Sequence, residues 1–390
     1  MSIPYPSGDN PFQNMLADLM KLLNQGGPSQ WDMARQLATA VAGDGAADPN
    51  VDPLDRIRLE ELGRIAELNV AEVTGLDLTG GGRPLVIRPL SRSEWAVRTL
   101  DSWQPLLEPL SNASGAAPLP HGDAESDEGL TNLFETLSRM VRPAMLGMQL
   151  GSSVGHLARR AMGQYDFPIP RAMADEISLV PANLAAFAQD WSLPEDDLKM
   201  WVCVSEMAHH AVFRLPHVRS RFEELLTTYV AGYTPETSGI EQRLAEVDPT
   251  DLSSLQEIMG DPTGLMRERE SAEQTAARER LEAAVAALEG YVDHVTDAVG
   301  SRVIGSLGQL IEALRRRRVD RDAGERFMEQ LFGLELDQAQ FDRGTTFVRG
   351  ILDRAGEEGL SKLWSRPGSI PTPAEVVAPG LWLERIAIES

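Results

Sequence analysis

Residues 201–214 read WVCVSEMAHHAVFR, and this stretch decides how the chain is interpreted. A helix that carries H-E-x-x-H presents two histidines on one face, where both can bind one zinc ion. Its glutamate acts as general base on the metal-bound water. Glu206 and His209 stand at the glutamate and second-histidine positions, whereas the first-histidine position holds Ser205. The stretch therefore has the register of a zinc-binding helix and lacks one of its ligands.

Taken alone, S-E-x-x-H is a short pattern that also arises by chance. The alternative is a partly buried helix in which Glu206 and His209 are satisfied by hydrogen bonds and serve packing. A second stretch, LEGYVDHVTD at residues 288–297, places Glu289 and Asp293 four residues apart in a long predicted helix. In so acidic a chain the same pair is also typical of a solvent-facing helix side. From these residues alone both interpretations stay open.

Other stretches widen the comparison to most of the chain: NVDPLDRIRLEELGRIAELNV, GSSVGHLARRAMGQYDFPIP, LFGLELDQAQFDRGTTFVRGIL and SIPTPAEVVAPGLWLERI. In their order and spacing the chain resembles the bacterial zincin-like metallopeptidases and their hydrolase-like relatives, which include proteins associated with deazaflavin-coenzyme biosynthesis. The resemblance implies a mainly helical zincin-like fold. It implies Glu206 as the ancestral general base, His209 and Glu289 as the second and third zinc ligands, and Asp293 as a residue that orients a ligating histidine. Ser205 then stands where the first ligand is lost.

A catalytic zinc normally has three protein ligands and a water, so His209 and Glu289 alone predict a degenerate metal site. Phe341 is a second departure, because the resemblance leads us to expect a tyrosine hydroxyl there and phenylalanine cannot donate a hydrogen bond. We expect a catalytically inactive scaffold or binding protein with no cofactor and a protein or peptide partner. The alternative is a zinc-dependent metallopeptidase or hydrolase with an altered coordination shell. Neither interpretation specifies a substrate, a pathway or an oligomeric state.

The bulk composition excludes several classes of protein. A net charge of −23 over 390 residues repels phosphate backbones and argues against nucleic-acid binding. The one cysteine, Cys203, cannot form a disulfide within the chain, which suits a reducing cytoplasm. The first residues, MSIPYPSGDNPF, lack the pattern of a signal peptide, and no apolar stretch approaches the roughly 20 residues of a membrane span. We therefore expect a cytoplasmic protein with no membrane span.

Helix-forming residues recur throughout the chain and aromatic residues make up only 6%, so the composition predicts a mainly α protein. Residues 111–130, SNASGAAPLPHGDAESDEGL, are small, polar and acidic, which is typical of a flexible linker or loop. They divide an N-terminal helical region, residues 1–110, from a zincin-like helical domain, residues 131–390, which we expect to pack together.

The pattern of apolar and turn residues also predicts individual elements. Long helices are expected over about 53–74 and 271–299, and short extended pieces over 84–90 and 176–180. The proline-rich residues 367–380 are expected to be irregular. A further helix is predicted after Asn10. The basic run Arg315 to Arg318 is interpreted as the solvated end of a helix, with a local anion-binding patch as the alternative.

Overall fold

The computed structural model describes residues 29–44, 48, 50–79, 84–116, 128–232 and 270–388, with the backbone alone for residues 111–116 and 128–142. Thirteen α-helices make up most of this part of the chain, which confirms the mainly α prediction. They are α1 (Gln30–Ala42), α2 (Pro53–Thr74), α3 (Arg92–Ala116), α4 (Glu128–Ala158), α5 (Pro181–Asp190), α6 (Glu195–Phe213), α7 (Pro216–Ala231), α8 (Ala272–Val303), α9 (Leu307–Val319), α10 (Ala323–Phe332), α11 (Gln338–Ser361), α12 (Pro373–Val377) and α13 (Pro379–Ile388).

Two short strands form a parallel pair, β1 (Val86–Pro89) and β2 (Glu176–Leu179), in which Val86 lies opposite Glu176. Both predicted extended pieces are therefore confirmed. Strand β1 follows α2 in the chain, and β2 leads into α5 and then α6. The strand pair therefore holds the segment after α2 beside the segment before α5 and α6. No described helix is both long and apolar enough to cross a bilayer.

Helix α6, which carries the S-E-x-x-H pattern, lies in the middle of the molecule. Three acidic residues in its first turn suit the positive end of the helix dipole, and Pro216, just after the helix, begins α7 instead of extending α6. From Leu198 to Phe213 every residue except Trp201 is buried. Since α6 packs against α2, α5, α7 and α8, its polar side chains must find partners inside the protein.

Helix α8 supplies the opposite side of the site and is held between α6 and α11. It begins with a capping box between Ser271 and Gln274. A glycine pair brings α8 and α11 together: a Cβ atom on Gly290 would lie 2.2 Å from the carbonyl oxygen of Gly344. This close contact fixes the position of Glu289, the neighbour of Gly290 in the chain.

The remaining sequence predictions have mixed outcomes. The helix over 53–74 is confirmed, with Asp52 as its N-cap and Gly75 in the left-handed conformation at its C-terminus. The prediction that residues 367–380 are irregular is wrong in part, because Pro373 and Pro379 each begin a helix. The first position of a helix suits the fixed φ of proline. The helix predicted after Asn10 lies outside the described residues.

The predicted linker at residues 111–130 lies only partly within the described residues. Helix α3 continues to Ala116 and α4 begins at Glu128, so residues 117–127 are outside the part that the structure describes. Helices α1, α3 and α4 pack against one another across this gap. The division of the chain into three regions stays a prediction.

Candidate functional site

An open cleft lies where α6 and α8 meet the α9–α10 region and residues 161–168. It encloses about 1050 Å³ of empty space, counting the solvent at its mouth. Its bottom, called here the cleft floor, consists of Ser205, Glu206, His209 and Glu289. These four predicted residues, and Asp293 as the fifth, therefore line one cavity.

His209 is engaged at both ring nitrogens. Its Nε2 lies 3.1 Å from Oε1 of Glu289, and its Nδ1 lies 2.9 Å from the carbonyl oxygen of Ser205 one turn earlier in α6. Two oxygen acceptors suit an imidazole that carries a proton on each nitrogen. Burial by itself lowers the pKa of His209, but the Glu289 carboxylate outweighs burial and the net pKa is raised above the ordinary value. The contact with Glu289 thus stabilises the protonated form of the buried ring.

Glu206 is held by backbone amides from the segment before β2. The amide of Gln164 donates to Oε2 at 2.9 Å, and that of Tyr165 donates to Oε1 at 3.1 Å. The segment comes this close because residue 163 is glycine: a Cβ atom there would lie 2.3 Å from the carboxyl carbon of Glu206. Burial, with a smaller contribution from Asp166, raises the pKa of Glu206 to about 8 despite these donors. A general base must be ionised, and this environment favours the neutral acid.

Tyr165 connects the floor to a second histidine, and sequence reasoning did not single it out. Its ring stacks on His209 with centroids 5.7 Å apart and an interplanar angle of 17°. Its hydroxyl lies 3.2 Å from Nδ1 of His210. Burial lowers the pKa of His210 to about 4, so this ring stays neutral. The only sequence signal was the stretch GQYDFP, which contributed to the family resemblance without assigning a role to any residue in it.

Asp293 also lines the cleft, one turn after Glu289 in α8. It forms an ion pair with Arg318 at 3.3 Å and accepts a hydrogen bond from the Thr345 hydroxyl at 3.5 Å. Burial raises the pKa of Asp293, and Arg318 offsets only part of that rise. Because its described contacts go to Arg318 and Thr345, its predicted role in orienting a histidine stays a prediction.

Three arginines form one side of the cleft, called here the arginine wall: Arg317, Arg318 and Arg321. Each is paired with a carboxylate. Arg317 lies 2.6 Å from Asp166, and Arg321 lies 2.5 Å from Glu329. Burial raises the pKa of Glu329 to about 7 even with its guanidinium partner. The wall is therefore electrically neutralised by its own neighbours.

The interpretation of the basic run as a solvated helix end is wrong for Arg317 and Arg318. The guanidinium of Arg318 lies over the ring of Phe341, 3.6 Å from its centroid, so this phenylalanine is a cation–π partner within the cleft. Arg316 does fit the interpretation, since it is well exposed and pairs with Glu312 one turn earlier. The last turn of α9 thus points some of its charges into the cleft, which a run of four identical residues cannot reveal.

The donor atoms present do not fit a catalytic zinc. Among the residues that the structure describes, no group of three or more His, Cys, Asp or Glu side chains could hold a metal ion. His209 and Glu289 meet, but Ser205 offers a neutral hydroxyl, and the carboxylate of Glu206 is engaged by amides. Cys203 is buried in the protein and does not line the cleft. Zinc chemistry of the usual kind needs one ligand more than these residues provide.

Comparison with known proteins found one family model and one solved structure that match most of the chain. Residues 30–383 match the family model described as zincin-like metallopeptidase. A solved structure described as "a putative hydrolase with a novel fold" from Chloroflexus aurantiacus is similar in fold, with a TM-score of 0.63 and 24% sequence identity. The match covers 92% of this chain and 98% of that one. A search of curated proteins found no match.

Proposed function

Because the chain belongs to the zincin-like metallopeptidase family, we propose that it keeps the family fold without the zinc chemistry and acts as a scaffold or binding protein. The observation that carries this proposal is the number of zinc ligands that meet in the cleft. Among the described residues only His209 and Glu289 come together there, and no group of three or more potential ligands could hold a metal ion. A catalytic zinc normally has three protein ligands and a water.

The other floor residues support the same conclusion. Ser205 stands in place of a histidine, and losing a direct ligand should cost more than the 10–100-fold that is typical of losing an outer partner. The environment of Glu206 favours the neutral acid. A water beside it is a poor nucleophile unless a metal ion lowers the pKa of that water. The floor can bind and orient a ligand group, but it lacks the means to activate water.

A protein or peptide segment is the partner that the cleft suits best. Aromatic rings line it, and the charges of its wall are internally paired. Aromatic residues are the usual anchors of protein interfaces. The net charge of −23 argues against a nucleic acid. A cytoplasmic location is part of this proposal and rests on the single, unpaired cysteine.

The second candidate is a zinc-dependent peptidase or hydrolase with an altered shell, and one distance favours it. Nε2 of His209 and Oε1 of Glu289 are 3.1 Å apart. Two ligands of one tetrahedral zinc, with bonds of about 2 Å, are separated by a similar distance, about 3.3 Å. Water or the Ser205 hydroxyl would then have to complete the shell, although a neutral hydroxyl is a weak zinc ligand.

The metal content of the purified protein separates the two candidates. The protein should be prepared without a histidine tag, dialysed against zinc at a micromolar concentration, and measured by elemental analysis. The scaffold proposal expects well under one zinc per chain after free metal is removed. A stoichiometric zinc content would contradict it and favour the altered enzyme.

A complementation test asks whether the chemistry of Glu206 matters. We expect Glu206→Gln to restore the phenotype of a deletion strain as well as the unmodified gene does, because glutamine keeps the volume and mimics the neutral acid that the site favours. Protein levels must be matched, and circular dichroism should show an intact fold. Loss of function in a folded Glu206→Gln variant would show that the carboxylate acts as a base.

A further inference from the structure

Helix α2 has apolar residues on two opposite faces, although only one face is covered by the rest of the described chain. The inner face, which includes Leu59, Leu62, Ala66 and Val70, is buried against the protein. The outer face carries four large apolar side chains with exposed fractions of 43–74%. They are Leu54, Ile57, Ile65 and Leu68. A helix at the surface of a monomer normally has polar residues on its outer face.

The outer residues form a narrow stripe. At 100° per residue they fall within an arc of about 80°, with Glu61 inside the same arc. We call this set, Leu54, Ile57, Glu61, Ile65 and Leu68, the α2 stripe. Its order is symmetric about Glu61: a leucine lies seven residues away on either side, and an isoleucine lies four residues away. Reversing the helix direction therefore leaves the pattern unchanged.

This symmetry suits a twofold interface between identical chains, because such an interface pairs a surface with itself and needs the surface to be self-complementary. Two α2 helices packed antiparallel, with the axis at Glu61, place Leu54 of one copy opposite Leu68 of the other. Ile57 meets Ile65 in the same way. A partner of unrelated sequence would not require the stripe to be symmetric about one residue.

The charges beside the stripe are partly complementary under the same twofold axis. The two Glu61 carboxylates approach each other at the axis, and each lies 3.0 Å from Arg58 of its own helix. Arg58 also pairs with Asp196 at 2.7 Å, so its charge is shared between two carboxylates. On the opposite edge, the antiparallel arrangement brings Arg64 of one copy close to Glu60 of the other, and this contact occurs twice.

We propose that α2 is a homodimer interface in which a second copy of this chain packs antiparallel on the α2 stripe. This inference is independent of the function proposed for the cleft, which opens elsewhere, between α6, α8 and the α9–α10 region. One helix pair buries less than the roughly 800 Å² per partner of a standard interface, so the dimer is weak. We expect a dissociation constant on the order of 10–100 µM.

Sedimentation velocity of the full chain should show a concentration-dependent dimer across about 1–300 µM, a range that brackets this constant. Leu68→Glu should give a monomer throughout, because it places a charge against Leu54 of the other copy. Leu381→Glu is the matched control, since Leu381 is an exposed leucine on α13, outside the stripe. A monomeric unmodified chain, or equal effects of both substitutions, would overturn the proposal.

Two further variants at Glu61 test the interface by a gain of association and by a covalent cross-link. Glu61→Leu completes the apolar stripe and should tighten the dimer by about tenfold or more, a gain that misfolding cannot mimic. Glu61→Cys should form a disulfide-linked dimer on mild oxidation, because the axis brings the two introduced thiols together. Ile57→Cys should not, since its two copies lie roughly 12 Å apart along the helix axis. Equal cross-linking at both positions, or no gain from Glu61→Leu, would contradict the axis at Glu61.

Discussion

The cleft floor and the arginine wall face the same cavity and handle buried charge in opposite ways. On the wall, each arginine has its own carboxylate, as in the pairs Arg317–Asp166 and Arg321–Glu329. On the floor, two carboxylates share one cation, because Glu206 and Glu289 have only His209 between them. The floor is thus short of a positive charge, and the wall is not.

Burial raises the pKa of a carboxyl in both places, and the groups that oppose the rise differ. Burial raises the pKa of Glu329 on the wall to about 7. Arg321 opposes this rise. Burial raises the pKa of Glu206 on the floor to about 8, with only His209 and two amides in opposition. A metal ion is the kind of charge that would fill the deficit. A floor without a third ligand can instead reduce its charge by keeping a proton on Glu206.

The largest expected effect comes from restoring the missing ligand. Ser205→His should raise the apparent zinc affinity by at least about 100-fold, because it completes the His, His, Glu set on the floor. Zinc occupancy after dialysis against a buffered zinc solution is the measurement. The double substitution Ser205→His with Glu289→Gln is the control and should lose the gain. An unchanged occupancy in the single variant would show that the floor cannot hold zinc even with three ligands.

The proton on Glu206 predicts how stability varies with pH. Its folded pKa of about 8 exceeds its ordinary value of 4.5, so its contribution to stability is complete at low pH and is lost as pH rises towards 8. Glu206→Gln removes this loss. Relative to the unmodified protein, the variant should gain stability on the order of a few kcal/mol between pH 4.5 and pH 8.

Urea unfolding at several pH values would measure this difference. The wall offers a comparison, because Glu329→Gln should show a smaller gain that is complete near pH 7. A difference between the unmodified protein and Glu206→Gln that stays constant with pH would contradict the buried neutral acid.

The close contact beneath Glu206 predicts a moderate steric effect. Gly163→Ala should lower the free energy of unfolding by about 1–3 kcal/mol, since the added Cβ would lie 2.3 Å from the carboxyl carbon of Glu206. Gly308→Ala is the matched control, because no atom lies within 4 Å of its added methyl group. The control should be neutral or slightly stabilising. If both variants unfold alike, Glu206 is not packed against this segment.

The smallest effect is expected on the wall. Arg318→Gln should cost about 1–2 kcal/mol of stability, because it removes the stacking on Phe341 and leaves Asp293 without its ion pair. Arg316→Gln on the same helix should cost less, at most about 0.5–1 kcal/mol, since its pair with Glu312 is exposed and its guanidinium lies 5.8 Å from the Trp191 ring centroid. Thermal unfolding of both variants measures the difference. Equal costs would mean that Arg318 is no better paired than a surface arginine.

Much of the helical framework could be predicted from local sequence, because helix boundaries depend on residues close together in the chain. Asp52 and Gly75 mark the ends of α2, and Ser271 marks the start of α8. Pro373 and Pro379 each begin a helix, whereas the sequence predicts an irregular segment there. A proline can interrupt a chain or begin a helix, and the choice depends on the residues that follow and on what the segment packs against.

The sequence by itself determined that Glu206 and His209 share one helix and that Ser205 stands in the first-histidine position, because these relations follow from spacing alone. Only the tertiary structure decided how those residues are satisfied. Glu206 accepts hydrogen bonds from amides 41 and 42 residues earlier in the chain, and His209 meets Glu289 80 residues later. Any residue except proline has a backbone amide that can donate, so no side-chain pattern marks the donors before the chain has folded.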